Sequence, residues 1–329
     1  PAATAVSPLG RWSQPAGNHQ PHDDPRALPR MKGNEMSVSN VFLQDSSNSN
    51  ERPNDTMRSY MSGASIAMDR MAREAPLDAA ALAAVEASDI VMVSGCYDHV
   101  ERVLQALEVP YSTVEPELLD RITLRPEQLL VVNCPGTLTP AGIIKVRDFV
   151  AAGGCLFTTD WALRNVVEPA FPGLIEYNDR PTGDDVVPIE VVDTDSPYLQ
   201  GVLDGDDDPQ WWLEGSSYPI RVLDPERVRV LIRSRDLGEK YGESAIAVVF
   251  EFGKGEVFHM ISHYYLQRTE LRNERHNMSA ADYASEKGVV FSPEMAEMSA
   301  DLTLGQVESA ATSARLFANF VATSRQRRS

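Results

Sequence analysis

The clearest alternation of apolar and polar positions lies between residues 139 and 165 and predicts a helix, a tight turn and a buried strand. Thr139 is a favourable N-cap, and Pro140 suits the first helical position because its missing N–H has no partner there. The apolar side chains that follow recur at helical spacing: Ile143, Val146, Phe149 and Val150. Gly153 and Gly154 can end this helix in a left-handed cap.

A short apolar run at residues 155–158 (CLFT) follows and is typical of a strand covered on both faces. Strands of this kind lie in the middle of a parallel sheet, and the residues just beyond their carboxyl ends face the ligand crevice. Asp160 and Trp161 occupy that position. The pattern therefore predicts a crevice beside these two residues.

Three apolar runs precede this stretch and alternate with helical patterns. Residues 89–94 (DIVMVS), 109–114 and 129–132 (LLVV) are predicted strands, and Asp98 is expected to cap a helix after the first of them. Successive strand–loop–helix units favour a parallel, right-handed, doubly wound sheet of the flavodoxin-like kind.

Beyond residue 165 the pattern changes to short alternating strands. Residues 245–252 and 256–261 flank Gly-Lys-Gly and read as a β-hairpin. A last helix is predicted over residues 304–323. The predicted fold class is therefore an α/β, mostly parallel, doubly wound sheet with a β-rich C-terminal portion.

The N-terminal part of the chain shows no sustained period. Residues 1–75 are rich in Pro, Ser, Asn, Asp and Met, which is typical of disorder, and residues 77–86 favour a short lead-in helix. We expect a disordered arm over residues 1–86 and one α/β domain over residues 87–329. Too little apolar surface is present to offset the entropy of ordering the arm, so deleting residues 1–75 is expected to leave the thermal midpoint nearly unchanged.

The charge balance argues against two classes of partner. Thirty Lys and Arg against 48 Asp and Glu give a net charge of −18, which opposes binding to nucleic acid or to an anionic membrane. The three cysteines lie at or beside predicted buried strands and indicate a reduced, cytoplasmic setting. No paired zinc-ligand motif is present. We expect neither a metal nor a cofactor.

Four segments together are similar to a known family: DIVMVSGCYDHVERVLQAL, LLVVNCPG, FVAAGGCLFTTDWA and GKGEVFHMISHYY. In order and spacing they resemble the class I glutamine amidotransferase-like superfamily, and within it the ThuA-like (trehalose-utilisation) branch and related uncharacterised domains. VPIEVVDTDSPYLQGV and the late ARLFANFV resemble further parts of that group. The resemblance implies the first strand and helix, an oxyanion-type loop, a nucleophile elbow and a closing hairpin.

The chain departs from that family where the chemistry resides. A glutaminase needs a thiolate on a strained elbow and a His two residues before a Glu. Here the elbow carries Asp160-Trp161, and although His263 stands at the histidine position, Tyr265 occupies the place of the glutamate. The resemblance implies the fold and argues against the glutaminase reaction.

Four loops are expected to converge at the carboxyl edge of the sheet: residues 95–99, 133–136, 160–161 and 262–265. Asp160, His263 and Tyr264 are the predicted catalytic residues, with Asp160 orienting His263 as a general base. The predicted ligand-binding residues are Cys96, Tyr97, Asp98, His99, Asn133, Cys134, Gly136 and Trp161. The alternatives are that Asp160 caps the following helix, that His263 is a satisfied buried histidine and that the cysteines are structural.

Two further features call for interpretation. The acidic loop with Asp204, Asp206, Asp207 and Asp208 lacks the ligand spacing of a calcium loop and reads as solvated. Trp211 and Trp212 point to opposite faces of an extended segment, so one is expected inside while the other lines a surface.

Three functional hypotheses follow. The first is a catalytically degenerate amidotransferase-like domain that binds a small molecule or a protein partner. The second is a non-glutaminase enzyme, a hydrolase or a carbohydrate-processing ThuA-like protein, that uses Asp160, His263 and Tyr264. The third is a structural component of an assembly, which forms a homo-oligomer. An open crevice with Asp160 and His263 within hydrogen-bond reach favours the enzyme, and a filled crevice with an exposed apolar patch elsewhere favours assembly.

Overall fold

The structure, a computed structural model, describes residues 54–264 and 268–327, and all of them belong to one compact unit. Residues 1–53, most of the arm expected to be disordered, lie outside the described residues. Tyr265, which the resemblance aligns with a glutamate, lies outside them as well. No helix in the described ranges combines the length and apolar character needed to cross a membrane.

The strands follow in chain order: β1 Ile90–Val93, β2 Ser112–Val114, β3 Leu129–Val132, β4 Cys155–Thr159, β5 Ile175–Tyr177, β6 Asp185–Pro188, β7 Glu190–Val191, β8 Gln210–Leu213, β9 Ile220–Val222, β10 Val228–Arg233, β11 Ala245–Phe252 and β12 Gly255–Met260. The helices follow in the same order: α1 Asp55–Glu74, α2 Pro76–Ala83, α3 Val100–Ala106, α4 Pro140–Ala152, α5 Glu168–Ala170, α6 Arg235–Tyr241, α7 Ala280–Glu286, α8 Pro293–Met298 and α9 Leu304–Gln326. Short 3₁₀ turns lie at Pro116–Arg121, Pro197–Leu199 and Glu274–Asn277, and a π-helical turn lies at Leu163–Val167.

A mixed sheet forms the centre of the unit. Five parallel strands stand in the order β2-β1-β3-β4-β12, which is the strand order of flavodoxin-like sheets. β12 also pairs antiparallel with β11, and β10 and β7 continue the sheet on that side. The predicted fold class is confirmed, including the hairpin and the β-rich C-terminal portion.

The central strands are covered on both faces. β1, β3, β4 and β12 are buried at every position, which requires packing above and below the sheet. One group of helices in mutual contact comprises α1, α2, α3 and α9, and a second group comprises α4 and α5. On the α9 side, the ring of Phe157 packs against those of Phe258, Phe317 and Phe320.

The stretch from Thr139 to the start of β4 folds as predicted. The Thr139 hydroxyl accepts a hydrogen bond from the Gly142 N–H at 3.0 Å, which caps α4. Gly153 ends the helix with a φ of 126°, a conformation that favours glycine. At Gly154 a side chain would collide with the ring of Phe149, because an added Cβ would lie 2.3 Å from its Cζ. The turn therefore brings α4 tightly against the start of β4.

The prediction of disorder is wrong for residues 55–74, which form the long helix α1. Tyr60, Ile66 and Met71 are buried in the two hydrophobic clusters of the unit. At Gly63 an added Cβ would lie 2.5 Å from the Ala311 backbone nitrogen, so α1 and α9 approach closely through small residues. By composition this segment is polar, whereas its buried face combines a few large side chains with small residues that allow close packing against α9. The short lead-in helix is confirmed as α2.

The acidic loop between β7 and β8 forms ion pairs with other segments, contrary to the prediction that it is solvated. Lys287 bridges Asp204 and Asp207 with two contacts of 2.6 Å, and Arg70 of α1 pairs with Asp204 at 3.0 Å. Arg275 joins Asp207 to the buried Glu308 of α9. We call this set the loop network, and its members are Asp204, Asp207, Glu308, Arg70, Arg275 and Lys287. It ties the loop to α1, α7 and α9.

Candidate functional site

Three side chains from distant parts of the sequence meet at the carboxyl edge of the parallel strands. Cys134 follows β3, Asp160 follows β4 and His263 follows β12, and these three strands are neighbours in the sheet. One potential ligand atom of each side chain lies within 4.8 Å of those of the other two. The three residues are 1%, 2% and 4% exposed. We call them the crevice cluster.

Asp160 stands on the sharp turn after β4 with a left-handed φ of 43°. Residues other than glycine adopt this conformation rarely, and such residues concentrate at functional sites. The carboxylate accepts hydrogen bonds from the Tyr218 N–H at 2.8 Å and from the Ser217 hydroxyl at 3.3 Å, and the Ser262 N–H donates to it as well. The helix-cap alternative is therefore wrong, because the carboxylate is bound by other segments and the following π-helical turn has no side-chain cap.

Burial raises the pKa of Asp160 to about 7. The hydrogen bond from the Tyr218 N–H works in the opposite direction because it favours the charged form, and the neighbouring Asp98 carboxylate raises the pKa further. A proton is thus easily held at this carboxyl group near neutral pH.

The imidazole of His263 lies between two carboxylates. Its Nε2 is 3.8 Å from Oδ2 of Asp160, which is longer than a hydrogen bond. On the other side of the ring, Nδ1 forms an ion-pair contact with the Glu214 carboxylate. The indole of Trp212 packs edge-on against the ring, with centroids 6.3 Å apart. The predicted orientation of His263 by Asp160 is thus replaced by a contact with Glu214.

Cys134 is held by its main chain and by the elbow. Its carbonyl accepts from the N–H groups of Cys96 at 3.2 Å and Tyr97 at 3.4 Å, and its own N–H donates to the Thr159 hydroxyl at 3.2 Å. The thiol sulfur accepts from the Trp161 N–H. Burial raises the pKa of the Cys134 thiol, and the Asp160 carboxylate raises it further, so the thiol stays protonated at neutral pH in the absence of a cation.

Aromatic rings lie over this edge. Tyr97 contacts Trp161 edge-on at 5.4 Å, and Trp161 stacks on Tyr218 at 5.5 Å. Tyr218 in turn stacks on Tyr177 at 3.9 Å, and the Trp161 indole donates to the Ser216 carbonyl at 2.7 Å. We call Tyr97, Trp161 and Tyr218 the aromatic cover. With the cluster almost fully buried, the crevice is filled rather than open.

The catalytic role expected for Tyr264 is corrected by its packing. The Tyr264 hydroxyl donates to the Ser313 carbonyl of α9, and its ring packs against Phe157 and Phe317. Burial raises the pKa of Tyr264 well above its ordinary value. Tyr264 therefore supports the core, with its N–H donating to both carboxylate oxygens of Asp98 at 3.1 Å.

Most other predicted ligand-binding residues serve the loops. Asp98 does not cap α3 as expected: His99 is the N-cap, and Asp98 accepts from the His99 N–H at 2.7 Å. His99 and Asn133 contact the two carboxylate oxygens of Glu101 at 2.9 and 3.1 Å. At Gly136 an added Cβ would lie 2.9 Å from Ala162 Cβ, so this residue provides close packing against the elbow. The side chain of Cys96 is exposed.

Sequence reasoning missed the segment that completes the site. Glu214, Ser217 and Tyr218 come from the turn between β8 and β9, which shows no period that marks it as functional. Trp211 and Trp212 are both buried, and Trp212 packs against His263 of the crevice cluster, so the expectation that one of them lines a ligand or partner surface stays a prediction. The available signal was a pair of tryptophans that ends two residues before a glutamate, because Trp212 packs against the histidine that Glu214 contacts.

A buried thiol, carboxylate and imidazole can share protons or bind a metal ion. The sequence predicted no metal because its ligand motifs are local patterns, whereas Cys134, Asp160 and His263 come together only through the sheet. These three residues are the ones that could hold an ion at this edge.

No protein-family profile matches the chain, and no curated protein matches it. Solved structures match at low similarity. A putative GMP synthase component from Thermoplasma acidophilum is 12% identical with a TM-score of 0.42, and the match covers 73% of this chain and 94% of that one. The cytoplasmic protein STM3548 from Salmonella typhimurium is 11% identical with a TM-score of 0.39, over 54% of this chain and 88% of that one.

A third solved structure, a β-galactosidase from Rahnella sp. R3, is 15% identical with a TM-score of 0.39, over 54% of this chain but only 28% of its own length. Likenesses of this size do not extend to function. The flavodoxin-like assignment rests on the strand order itself.

Proposed function

We propose that this chain is an amidotransferase-like α/β domain of the ThuA-like kind that lacks glutaminase activity and binds a small ligand at the carboxyl edge of its sheet. The observation that carries the proposal is the elbow. Asp160 takes the strained position of the family's nucleophile, and its carboxylate is held by donors from Ser217, Tyr218 and Ser262.

The nearest thiol does not replace the missing nucleophile. Cys134 lies on the neighbouring strand end, is 1% exposed and has a raised pKa because of its burial. A glutaminase requires an accessible thiolate, which forms where positive charge or a helix N-terminus lowers the thiol pKa. Carboxylates surround Cys134 instead, so glutamine hydrolysis is disfavoured by electrostatics as well as by access.

The chemical class of the ligand follows from the outer face of the site. Tyr97 is 49% exposed, and its ring continues into Trp161 and Tyr218. Aromatic faces beside carboxylates and carbonyls suit an uncharged polyhydroxyl compound, because the rings cover its C–H faces while oxygen acceptors take its hydroxyls. The acidic balance of the chain opposes anions. We therefore assign a sugar-like ligand, with Glu214 and the Ser216 carbonyl as nearby acceptors.

Ammonia release from glutamine tests the first half of the proposal. The purified full chain is expected to release no more ammonia than buffer. Release that is lost in Cys134→Ala or in Cys96→Ala would overturn it, because either result would identify a working thiol nucleophile.

Ligand binding tests the second half. Trehalose and glucose, used as probes, are expected to raise the thermal midpoint of the unaltered protein while glutamine does not. Trp161→Ala should remove that rise, whereas Trp161→Phe should keep most of it because the ring is retained. Equal midpoints with and without both sugars would contradict the sugar-like ligand.

A non-glutaminase hydrolase is the second candidate, and the position of His263 favours it. The His263 ring contacts the Glu214 carboxylate through Nδ1 and faces Asp160 through Nε2, which places a titratable base between two carboxylates. Hydrolysis of a chromogenic ester or glycoside that disappears in both His263→Gln and Asp160→Asn would support this function. Activity that survives both changes belongs to another site or to a contaminant.

A protein partner, including a second copy of this chain, is the third occupant considered for this edge. The filled crevice is what the assembly hypothesis expects, and sedimentation of the purified chain tests it. A cytoplasmic location is part of the proposal as well, because Cys96, Cys134 and Cys155 are all free thiols.

A further inference from the structure

The spacing of the crevice cluster matches ligands that share an ion better than it matches a hydrogen-bonded network. His263 Nε2 and Asp160 Oδ2 are 3.8 Å apart, beyond hydrogen-bond length. Ligand atoms placed about 2.0–2.3 Å from a tetrahedral zinc ion lie roughly 3.3–3.8 Å from one another. The donor atoms of Cys134, Asp160 and His263 all lie within 4.8 Å of one another, so a small inward movement closes a three-ligand site.

Each of the three side chains also has a polar contact with a residue outside the cluster. The Glu214 carboxylate contacts Nδ1 of His263, the ring nitrogen that faces away from Asp160. The Trp161 N–H donates to the Cys134 sulfur, and the Ser217 hydroxyl and Tyr218 N–H donate to Asp160. Metal-ligating histidines and carboxylates are held by outer partners of these kinds, which fix the tautomer and the direction of the lone pair.

In the described part of the chain, no lysine or arginine forms an ion pair with the crevice cluster. Within residues 54–264 and 268–327, the ion pairs of Asp160 include no lysine or arginine, and its contact there is with His263. Burying a carboxylate beside a thiol and a histidine without a cation costs free energy, and a bound divalent ion supplies the missing positive charge.

We propose that Cys134, Asp160 and His263 bind one divalent transition-metal ion, best matched by zinc, and that Glu214 is the positioning residue for His263. A set of one sulfur, one imidazole nitrogen and one carboxylate oxygen is typical of zinc, whereas magnesium and calcium require oxygen ligands. On binding, the Cys134 thiol loses its proton to solvent and the sulfur coordinates as thiolate. Three protein ligands leave a fourth position for water or for a ligand beneath the aromatic cover.

Cobalt(II) is the probe that tests the site, because it substitutes for zinc and reports its ligands by absorption. The full chain is stripped with a chelator and titrated with CoCl₂ without oxygen. We expect one equivalent to bind with strong visible bands of four-coordinate cobalt and a near-ultraviolet thiolate-to-cobalt band. ZnCl₂ should displace the cobalt and abolish both.

Matched cysteine variants assign the thiolate. Cys134→Ala is expected to lose the near-ultraviolet band, while Cys155→Ala, which removes another buried thiol at the opposite end of β4, is expected to keep it. The double variant Cys96→Ala/Cys155→Ala leaves Cys134 as the sole thiol and should also keep the band, so the assignment stands even where Cys134→Ala does not fold.

Glu214→Ala separates positioning from ligation. It is expected to weaken cobalt affinity about 10- to 100-fold while the near-ultraviolet band stays in place, because the outer partner is lost and the three ligands remain. The proposal is overturned if the unaltered protein takes up no equimolar cobalt, or if the band survives Cys134→Ala or is missing from the double variant. Failure of sugar binding leaves these results unaffected, because none of them involves the aromatic cover.

Discussion

Two buried acidic regions of this protein carry their charge in opposite ways. In the loop network, Asp207 and Glu308 are 2% and 1% exposed at their side chains and contact Lys287 and Arg275. In the crevice cluster, Asp160 is equally buried, yet among the described residues its ion pairs include only His263. Among the described residues, lysine and arginine pair with the first region, whereas only a histidine lies beside the second.

The difference separates a structural role from a site. The loop network is complete within the chain and joins the loop after β7 to α1, α7 and α9. Burial raises the pKa of Glu308, and the hydrogen bond and charge of Arg275 oppose that rise. In the crevice cluster, the ion pairs of Asp160 among the described residues include no lysine or arginine, and the metal ion proposed above would supply that positive charge.

Removing α1 is expected to have the largest effect, because it breaks the loop network and the core together. Arg70 of α1 pairs with Asp204, and Tyr60, Ile66 and Met71 are buried. Deleting residues 1–75 should abolish cooperative thermal unfolding, which replaces the expectation of an unchanged midpoint. A deletion of residues 1–53 is the matched control. Equal midpoints of the two deletions would show that α1 adds nothing to the fold.

Acid is expected to have the next largest effect, through a buried group that belongs to neither region. Burial lowers the pKa of His259 to about 3, and its Nδ1 lies 2.8 Å from the Thr158 hydroxyl. The unfolded chain binds the proton near pH 6.5 and the folded chain only near pH 3. The contribution of His259 to the free energy of unfolding is therefore fully present above pH 6.5. It is lost as the pH falls from 6.5 to 3, by at most roughly 5 kcal/mol.

The variant His259→Asn tests whether His259 causes this loss of stability in acid, separately from the two acidic regions. The asparagine can keep the contact with Thr158 and carries no titratable ring, so the slope of the free energy of unfolding against pH should decrease by about 1.4 kcal/mol per pH unit between pH 6.5 and 3, relative to the unaltered protein. Urea unfolding across that range measures it. An identical slope in the variant would mean that other groups cause the acid sensitivity.

Breaking the loop network from the cation side is expected to cost about 3–5 kcal/mol. Arg275→Met leaves Glu308 buried without its 2.5 Å contact. The double variant Arg275→Met/Glu308→Leu removes both charges and should recover most of the loss. Urea unfolding at pH 8 compares them. A single variant as stable as the unaltered protein would contradict the claim that Arg275 offsets the burial of Glu308.

The smallest effect is expected for an arginine–carboxylate pair that is exposed to solvent. Arg164 and Asp179 are 3.1 Å apart beside the aromatic cover, and both are more than half exposed. Asp179→Asn should change the free energy of unfolding by less than about 0.5 kcal/mol, because solvent screens the pair. Asparagine also tolerates the left-handed φ of 61° at this position. A loss of several kcal/mol would contradict the claim that burial makes the ion pairs of the loop network stronger than exposed ones.

The architecture was largely predictable because its strands are buried on both faces and its helices carry clear caps. Leu129–Val132 and the Thr139 cap of α4 were found where local pattern placed them. α1 was missed because its few large apolar residues are separated by small ones such as Gly63, whose contribution depends on the facing backbone of α9. Composition cannot report a close approach between helices.

The candidate site was predictable only as an edge. Strand order placed residues 134, 160 and 263 at one end of the sheet, as expected from their positions after three apolar runs. Tyr264 was expected in the crevice beside His263. Adjacent side chains point in opposite directions, and the Tyr264 hydroxyl instead donates to the Ser313 carbonyl. Glu214 lies on a turn without periodicity, and nothing local indicates that it contacts His263.

Local pattern was enough to predict the buried strands, the turn that carries Asp160 and the cap of α4, because burial period, helix caps and residue identity are local properties. The ion pairs of the acidic loop with Arg70, Arg275 and Lys287, and the position of Asp160 beside Cys134 and His263 with no lysine or arginine paired to it among the described residues, depend on the tertiary structure. Charge balance in a buried region depends on which distant segments share it. Which segments meet in a buried region depends on tertiary packing, and the local sequence of one segment does not specify it.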